Sequence, residues 1–199
     1  MANGLNYNLV KFSYAAGTAA QLPKPGRPEV AFVGRSNVGK SSIMNKLFNR
    51  KSLVKVSSKP GKTTTINFFE CGPVDFVDLP GYGFARVSGA EQERWSKLMG
   101  GYFEQRERNL RLVVSLVDIR HDLQRLDEEM INYLLTLERP FAVAFTKSDK
   151  LSKTRATAQA AALARALTLP SDVPTVITSA TAGTGIPELR QIIERTALR

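Results

Sequence analysis

The feature that most restricts this chain is Gly34-Arg35-Ser36-Asn37-Val38-Gly39-Lys40-Ser41. It matches G-x-x-x-x-G-K-[ST] and stands between the apolar run Val30 to Val33 and the helix-like segment Ser42 to Asn49, the strand–loop–helix context that a phosphate-binding loop requires. Each element of the motif answers negative charge. The glycines let successive backbone N–H groups turn inward around a β-phosphate, and the helix N-terminus adds its positive dipole. Lys40 then reaches the β- and γ-phosphates, while the Ser41 hydroxyl is a ligand for Mg²⁺. A glycine-rich tight turn with no ligand is the competing reading, and the flanking strand and helix argue against it.

The rest of the chain repeats that alternation. Apolar runs of buried-strand length recur at Val74 to Val77, Leu112 to Val117, Phe141 to Phe145 and Thr175 to Ile177. Helical patterns lie between several of them. Ser88-x-x-Glu91 is a capping box, after which Trp95, Leu98, Met99 and Tyr102 share one helical face. Leu123, Leu126, Met130, Leu134 and Leu137 make a second stripe, Thr154 to Leu167 is rich in alanine, and Pro187 marks a helix start before Leu189, Ile192 and Ile193. Alternating strands and helices predict an α/β fold with a mainly parallel central sheet covered on both faces. Its functional loops then belong at the carboxyl ends of the strands. Three prolines within Leu22 to Pro28 separate an amino-terminal extension, residues 1–28, from a domain over residues 29–199.

Composition excludes several classes. At 199 residues and 43% hydrophobic, the chain has the size of one domain with a sizeable core. It lacks a signal-peptide pattern at Met1 to Val10 and any apolar run near the ~20 residues that cross a bilayer, which predicts no membrane span and a cytoplasmic protein. The single Cys71 has no disulfide partner and reads as a small buried hydrophobe. A formal charge of +10 favours a polyanionic partner, nucleic acid first and a membrane surface second.

Three further motifs stand at strand ends. Asp78-Leu79-Pro80-Gly81 follows Val74 to Val77, so Asp78 can hold Mg²⁺ through water and the Gly81 N–H can touch a γ-phosphate; alone, the same residues make a plain turn. Thr146-Lys147-Ser148-Asp149 follows Phe141 to Phe145, where a carboxylate can accept from both the N1–H and the 2-amino group of guanine, a donor pair that adenine lacks. Thr178-Ser179-Ala180 lets an N–H approach the guanine O6. A threonine that reaches the metal from the loop before the second strand is also needed, and Gly61-Lys62-Thr63-Thr64-Thr65 supplies it, Thr63 first. The expected nucleotide site is therefore Gly34 through Ser42, including Arg35, Ser36, Asn37, Val38, Gly39, Lys40 and Ser41, with Gly61, Lys62, Thr63, Thr64, Thr65, Asp78, Leu79, Pro80, Gly81, Thr146, Lys147, Asp149, Thr178, Ser179 and Ala180. Lys40, Thr63 and Gly81 carry the chemistry in that scheme, and Ser41, Thr63 and Asp78 the metal.

The set Gly-Arg-Ser-Asn-Val-Gly-Lys-Ser-Ser, Lys-Pro-Gly-Lys-Thr, Asp-Leu-Pro-Gly-Tyr-Gly and Thr-Lys-Ser-Asp resembles the EngB family of bacterial GTPases, also called YihA or YsxC, within the Era-like group. The resemblance covers nearly the whole chain. It implies a Ras-like P-loop domain, GTP and GDP binding with Mg²⁺, a role in assembling the large ribosomal subunit from its RNA and proteins, and a requirement for septation. Thr146 stands where most GTPases place Asn, and Tyr82 where others place a water-orienting Gln, which predicts slow intrinsic hydrolysis.

Several residues keep two readings. Tyr82 either faces the nucleotide or packs over a neighbouring loop, and Asn37 either supplies an oxygen to K⁺, as its place implies in related Era-like proteins, or stabilises a turn. His121 reads as a solvated or capping residue. Lys51, Lys55, Lys59 and Lys62, with Arg94, Lys97, Arg106, Arg108 and Arg111, are expected to flank the nucleotide and to present ordered cations to RNA when GTP is bound. A monomeric GTPase switch is the first functional reading. An RNA-associated nucleotide sensor whose hydrolysis is incidental is the second, and a P-loop ATPase or small-molecule kinase is disfavoured by the guanine motif.

Overall fold

A computed structural model describes residues 4–55, 65–83 and 88–199. Among the described residues the strands are β1 (Lys11–Ala16), β2 (Glu29–Gly34), β3 (Ile66–Cys71), β4 (Val74–Asp78), β5 (Leu110–Asp118), β6 (Phe141–Thr146) and β7 (Thr175–Ile177). They form one sheet in the order β1-β3-β4-β2-β5-β6-β7. The pairs β4/β2, β2/β5, β5/β6 and β6/β7 are parallel, and only β1/β3 and β3/β4 are antiparallel. Among the described residues, five α-helices cover it: α1 (Lys40–Leu47), α2 (Gly89–Phe103), α3 (Arg125–Thr136), α4 (Lys153–Ala166) and α5 (Ile186–Ala197).

Strand alternation sorts the side chains into two cores. Along β2, Val30 and Phe32 pack with Ile43, Met44 and Leu47 of α1 and Leu189, Ile192 and Ile193 of α5. Ala31 and Val33 face the other way, onto Leu98 and Tyr102 of α2, Ile131 and Leu134 of α3 and Leu163 of α4. A six-residue strand buried along its whole length explains the continuous apolar run in its sequence. The Ser88/Glu91 capping box forms at the start of α2, satisfying two backbone donors reciprocally, and Pro187 sits in the first turn of α5. Leu123 and Leu137 of the expected stripe lie just outside α3 but still pack against the same core.

Two strands, β1 and β3, have no counterpart among the expected runs. β3 carries Asn67 and Glu70 among its apolar residues, and β1 is an exposed edge strand whose alternation is interrupted by an irregularity between Phe12 and Tyr14. The amino-terminal segment is thus knitted into the sheet through residues 11–16. Upstream of β1 it is also tied to α5: the Leu5 N–H donates to Glu194 at 3.1 Å, and the Arg190 guanidinium lies 4.6 Å from the Tyr7 ring centroid. Cys71 is fully buried. Among the described residues, no helix is long and apolar enough to cross a membrane.

Candidate nucleotide site

β2, β4, β5, β6 and β7 all end at one edge of the sheet, and the motifs sit on the loops that leave them. The loop after β2 depends on two backbone demands. A Cβ at Gly34 would lie 2.8 Å from the Val38 side chain and 3.0 Å from the Leu116 carbonyl, so only glycine permits this approach. Gly39 and Asn37 both adopt left-handed φ, +102° and +65°, which folds the loop back on itself. Helix α1 then starts at Lys40 with Gly39 as its N-cap and no side-chain cap, leaving its first N–H groups for another acceptor. Ser41 and Ser42 lie in that first turn.

The Lys40 ammonium is paired with the Asp78 carboxylate at the end of β4. Both side chains are nearly buried, so each supplies the countercharge that its partner needs in a low-dielectric pocket. Past Asp78, the chain runs beside the phosphate loop. The Leu79 N–H donates to Phe32 O at 3.0 Å, the Tyr82 N–H to Gly34 O at 3.3 Å, and the Ser36 N–H to Tyr82 O at 2.8 Å. Gly81 lies so close that a Cβ there would come within 3.3 Å of the Ser36 hydroxyl. Trp95 of α2 donates to Pro80 O at 3.4 Å, and Leu79 is fully buried. Of the two readings of Tyr82 the structure favours packing: the ring is 6% exposed and its hydroxyl donates to Asp127 Oδ1 at 2.9 Å.

The loops after β6 and β7 meet on the other side. The Thr146 hydroxyl donates to Val38 O at 2.7 Å, which fixes the end of β6 to the phosphate loop. Lys147, held in left-handed backbone at φ +62°, extends over that loop and donates to Asn37 O at 2.6 Å, while Asp118 at the end of β5 takes the same ammonium at 2.9 Å. Burial alone would raise the Asp118 carboxyl, but hydrogen bonds from Arg120 and Lys147 outweigh it and hold the group well below the usual carboxylate range. Ser179 donates to Asp149 Oδ1 at 2.6 Å and lowers its pKa, so an ionised acceptor faces the open side. The buried Thr178 N–H donates to Phe145 O at 2.7 Å, and the Ser148 N–H to Thr178 O at 3.1 Å, which joins the two loops and brings Ala180 beside them.

Three residues essential to this arrangement carried no recognised signal. Asp118 orients Lys147, Asp127 holds Tyr82, and Gly185 closes the loop after β7. Gly185 has φ +69°, and a Cβ there would overlap the Ile177 carbonyl. A carboxylate ending the run Leu112 to Val117 was the available clue for Asp118. Asp127 has no local clue, because its partners stand 45 and 92 positions away in sequence. Gly61, Lys62, Thr63 and Thr64 lie outside the described residues, and Thr65 stands just before β3 with its hydroxyl 3.2 Å from Asn67.

The basic residues divide differently from the expectation. Arg108 is buried and bonded to Glu29 at 2.5 Å and to Pro23 O at 3.0 Å, a structural ion pair at the amino end of β2. Arg106 and Arg111 lie at that same end of the sheet, opposite the motifs, because α2 runs away from the site and β5 starts there. Lys59 and Lys62 lie outside the described residues. His121 is exposed, as expected of a solvated residue, with its imidazole 4.0 Å from Asp118.

The donor set suits a hard divalent cation. The Ser41 hydroxyl and the Asp78 carboxylate are hard oxygen donors of the kind Mg²⁺ takes, and phosphate oxygens and waters would have to complete the shell.

Residues 29–147 match the family model described as 50S ribosome-binding GTPase. The probable GTP-binding protein EngB of Syntrophomonas wolfei is 49% identical over 85% of this chain and 87% of its own length. That of Desulfotalea psychrophila is 43% identical over 96% and 98%. A crystal structure of a probable GTP-binding protein EngB superposes with a TM-score of 0.71 at 27% identity, covering 85% of this chain and 98% of that one. Era of Aquifex aeolicus, at 21% identity and a TM-score of 0.66 over 85% of this chain and 56% of its own, shares the fold. A family model spanning β2 to the end of β6, with relatives this similar over almost their full lengths, leaves one assignment: the chain belongs to the EngB family of GTP-binding P-loop GTPases.

Proposed function

We propose that this protein binds GTP and GDP with Mg²⁺, hydrolyses GTP slowly, and acts as a switch on the large ribosomal subunit or its precursor in the bacterial cytoplasm, with septation depending on that role. Residues 29–199 are the GTPase domain and residues 1–28 its extension. The observation that carries the reading is the convergence of Lys40, Asp78, Lys147 and Asp149 at one sheet edge, held there by the Thr146–Val38 and Ser179–Asp149 hydrogen bonds.

In this scheme the first N–H groups of α1 and the Lys40 ammonium receive the β- and γ-phosphates, and the Gly81 N–H meets the γ-phosphate. Lys40 would exchange the Asp78 carboxylate for phosphate, leaving that carboxylate available to the metal. Ser41 and Asp78 would hold Mg²⁺, with Thr63 as the further ligand expected from the sequence, and the ion would supply charge neutralisation for the phosphate oxygens. Lys147 covers the phosphate loop beneath the base, Asp149 accepts from guanine, and Ser179 keeps that carboxylate ionised and aimed. No residue is assigned to potassium: the left-handed backbone of Asn37 by itself accounts for an asparagine there.

The burial of Tyr82 favours a second reading, an RNA-associated nucleotide sensor whose hydrolysis is incidental, since a phenol whose one donor is given to Asp127 has none left with which to orient an attacking water. One experiment separates the two. Affinity for large-subunit particles is measured across a salt series with a non-hydrolysable GTP analogue and with GDP, alongside single-turnover hydrolysis with and without particles. The switch requires tighter binding in the analogue state and faster hydrolysis on the particle. Equal affinity in both states with unstimulated hydrolysis contradicts it.

A further inference from the structure

Among the described residues, Asp127 is the one buried carboxylate near the site without a role in nucleotide or metal binding. It stands in the first turn of α3, where the helix dipole favours an anion, and is 2% exposed. Two groups meet it there: the Tyr82 hydroxyl at 2.9 Å, and the guanidinium of Arg35, the second residue of the phosphate loop, at 3.7 Å. Burial raises its pKa, and these two partners oppose that shift by favouring the charged form. One carboxylate therefore joins three separate elements: the phosphate loop, the segment after β4 and helix α3.

Tyr82 is anchored at both ends. Its backbone is bonded to Gly34 and Ser36, forming a parallel bridge between Arg35 and Tyr82, while its ring is buried toward α3 and ends on Asp127. The next residue, Gly83, has φ +78°, and a Cβ there would lie 2.8 Å from Leu126, so the chain hugs α3 immediately afterwards. Gly81 is the residue before this anchor. Its N–H has the freedom that the anchor leaves it.

We propose that Asp127 is a positioning residue for γ-phosphate recognition: by holding Tyr82 and Arg35 together it fixes the Gly81 N–H beside the phosphate loop and so sets the affinity for GTP relative to that for GDP. The inference rests on the GTP-binding reading above and specifies how that site tells its two nucleotides apart. GDP ends at the β-phosphate, which the α1 N-terminus and Lys40 cover without help from Gly81. Only the triphosphate uses the anchored segment. Loss of the anchor therefore costs ordering free energy on GTP binding alone, since a loose Gly81 must be immobilised by the ligand. A carboxylate that merely supported the fold would weaken both nucleotides alike.

The test uses the full chain and equilibrium affinities for GDP and for a non-hydrolysable GTP analogue in wild type, Tyr82→Phe, Asp127→Ala, Asp127→Asn and the Tyr82→Phe/Asp127→Ala double variant. Tyr82→Phe keeps the ring packing and removes only the hydroxyl. It should weaken the analogue about tenfold, the size of one hydrogen bond to a charged group, and leave GDP within about twofold. Asp127→Ala should do at least as much, with the double variant no worse than Asp127→Ala alone, because both changes break the same bond. Asp127→Asn, whose amide oxygen still accepts from the phenol, should recover most of the loss. If the alanine variant fails to fold, Tyr82→Phe decides alone. Equal weakening of both nucleotides, an unchanged ratio, or tighter analogue binding would overturn the proposal. Wild-type protein that binds neither guanine nucleotide would overturn the underlying reading instead.

Discussion

The Thr146 hydroxyl donates to the Val38 carbonyl at 2.7 Å and lies 3.3 Å from the Val117 carbonyl, so a single side chain at the end of β6 ties the base loop to the phosphate loop and to β5. Thr146 is 1% exposed, and its acceptors are backbone groups with no access to water. In the proposed site, placement of the base relative to the phosphates would thereby be built into the sheet before ligand binds.

Thr146→Val preserves shape and removes the donor. With buried acceptors left unpaired, stability should fall by about 1–3 kcal/mol and guanine-nucleotide affinity should fall with it. Thr146→Ser keeps the hydroxyl and should lose less than half as much. Thermal unfolding of both variants, with nucleotide titration, checks this; a valine variant as stable as wild type would remove the tie.

Gly185→Ala tests the loop after β7. The position combines left-handed φ with contact against the Ile177 carbonyl, so alanine must displace backbone and not a flexible side chain. The loop that it closes holds Ser179, whose N–H donates to Thr184 O at 3.0 Å. A loss of more than about 3 kcal/mol in chemical denaturation is expected, with guanine affinity reduced in whatever fraction folds. Gly26→Ala, where an added Cβ meets nothing within 4 Å, is the control and should change stability by less than about 1 kcal/mol.

The motifs were legible because each is local. Gly34 to Ser41, Asp78 to Gly81 and Thr146 to Asp149 carry their chemistry within eight residues and sit after runs buried on both faces, which read as strands whatever lies around them. What the sequence withheld is long-range or half-exposed. β1 has one buried residue in six, and its register slips between Phe12 and Tyr14, so neither period nor hydrophobicity announces it. The partners of Asp127 are near only once α3 packs on the sheet. Arg108 looked like part of a basic surface because charge in sequence says nothing of burial, whereas Glu29 and Tyr102 enclose it.

Guanine recognition in the proposed site depends on the Asp149 carboxylate, and Asp149→Asn probes it with a single change. The carboxylate can only accept hydrogen bonds, which suits the N1–H and 2-amino donors of guanine; an amide can donate to the 2-oxo group of xanthine. Affinities for guanosine, xanthosine and adenosine triphosphates are compared in wild type and variant. Wild type should bind GTP well above the other two, and the variant should weaken for GTP by about 2–4 kcal/mol while gaining for the xanthosine nucleotide. An Asp149→Asn protein that keeps its guanine preference, or a wild type that does not distinguish GTP from ATP, would contradict that dependence.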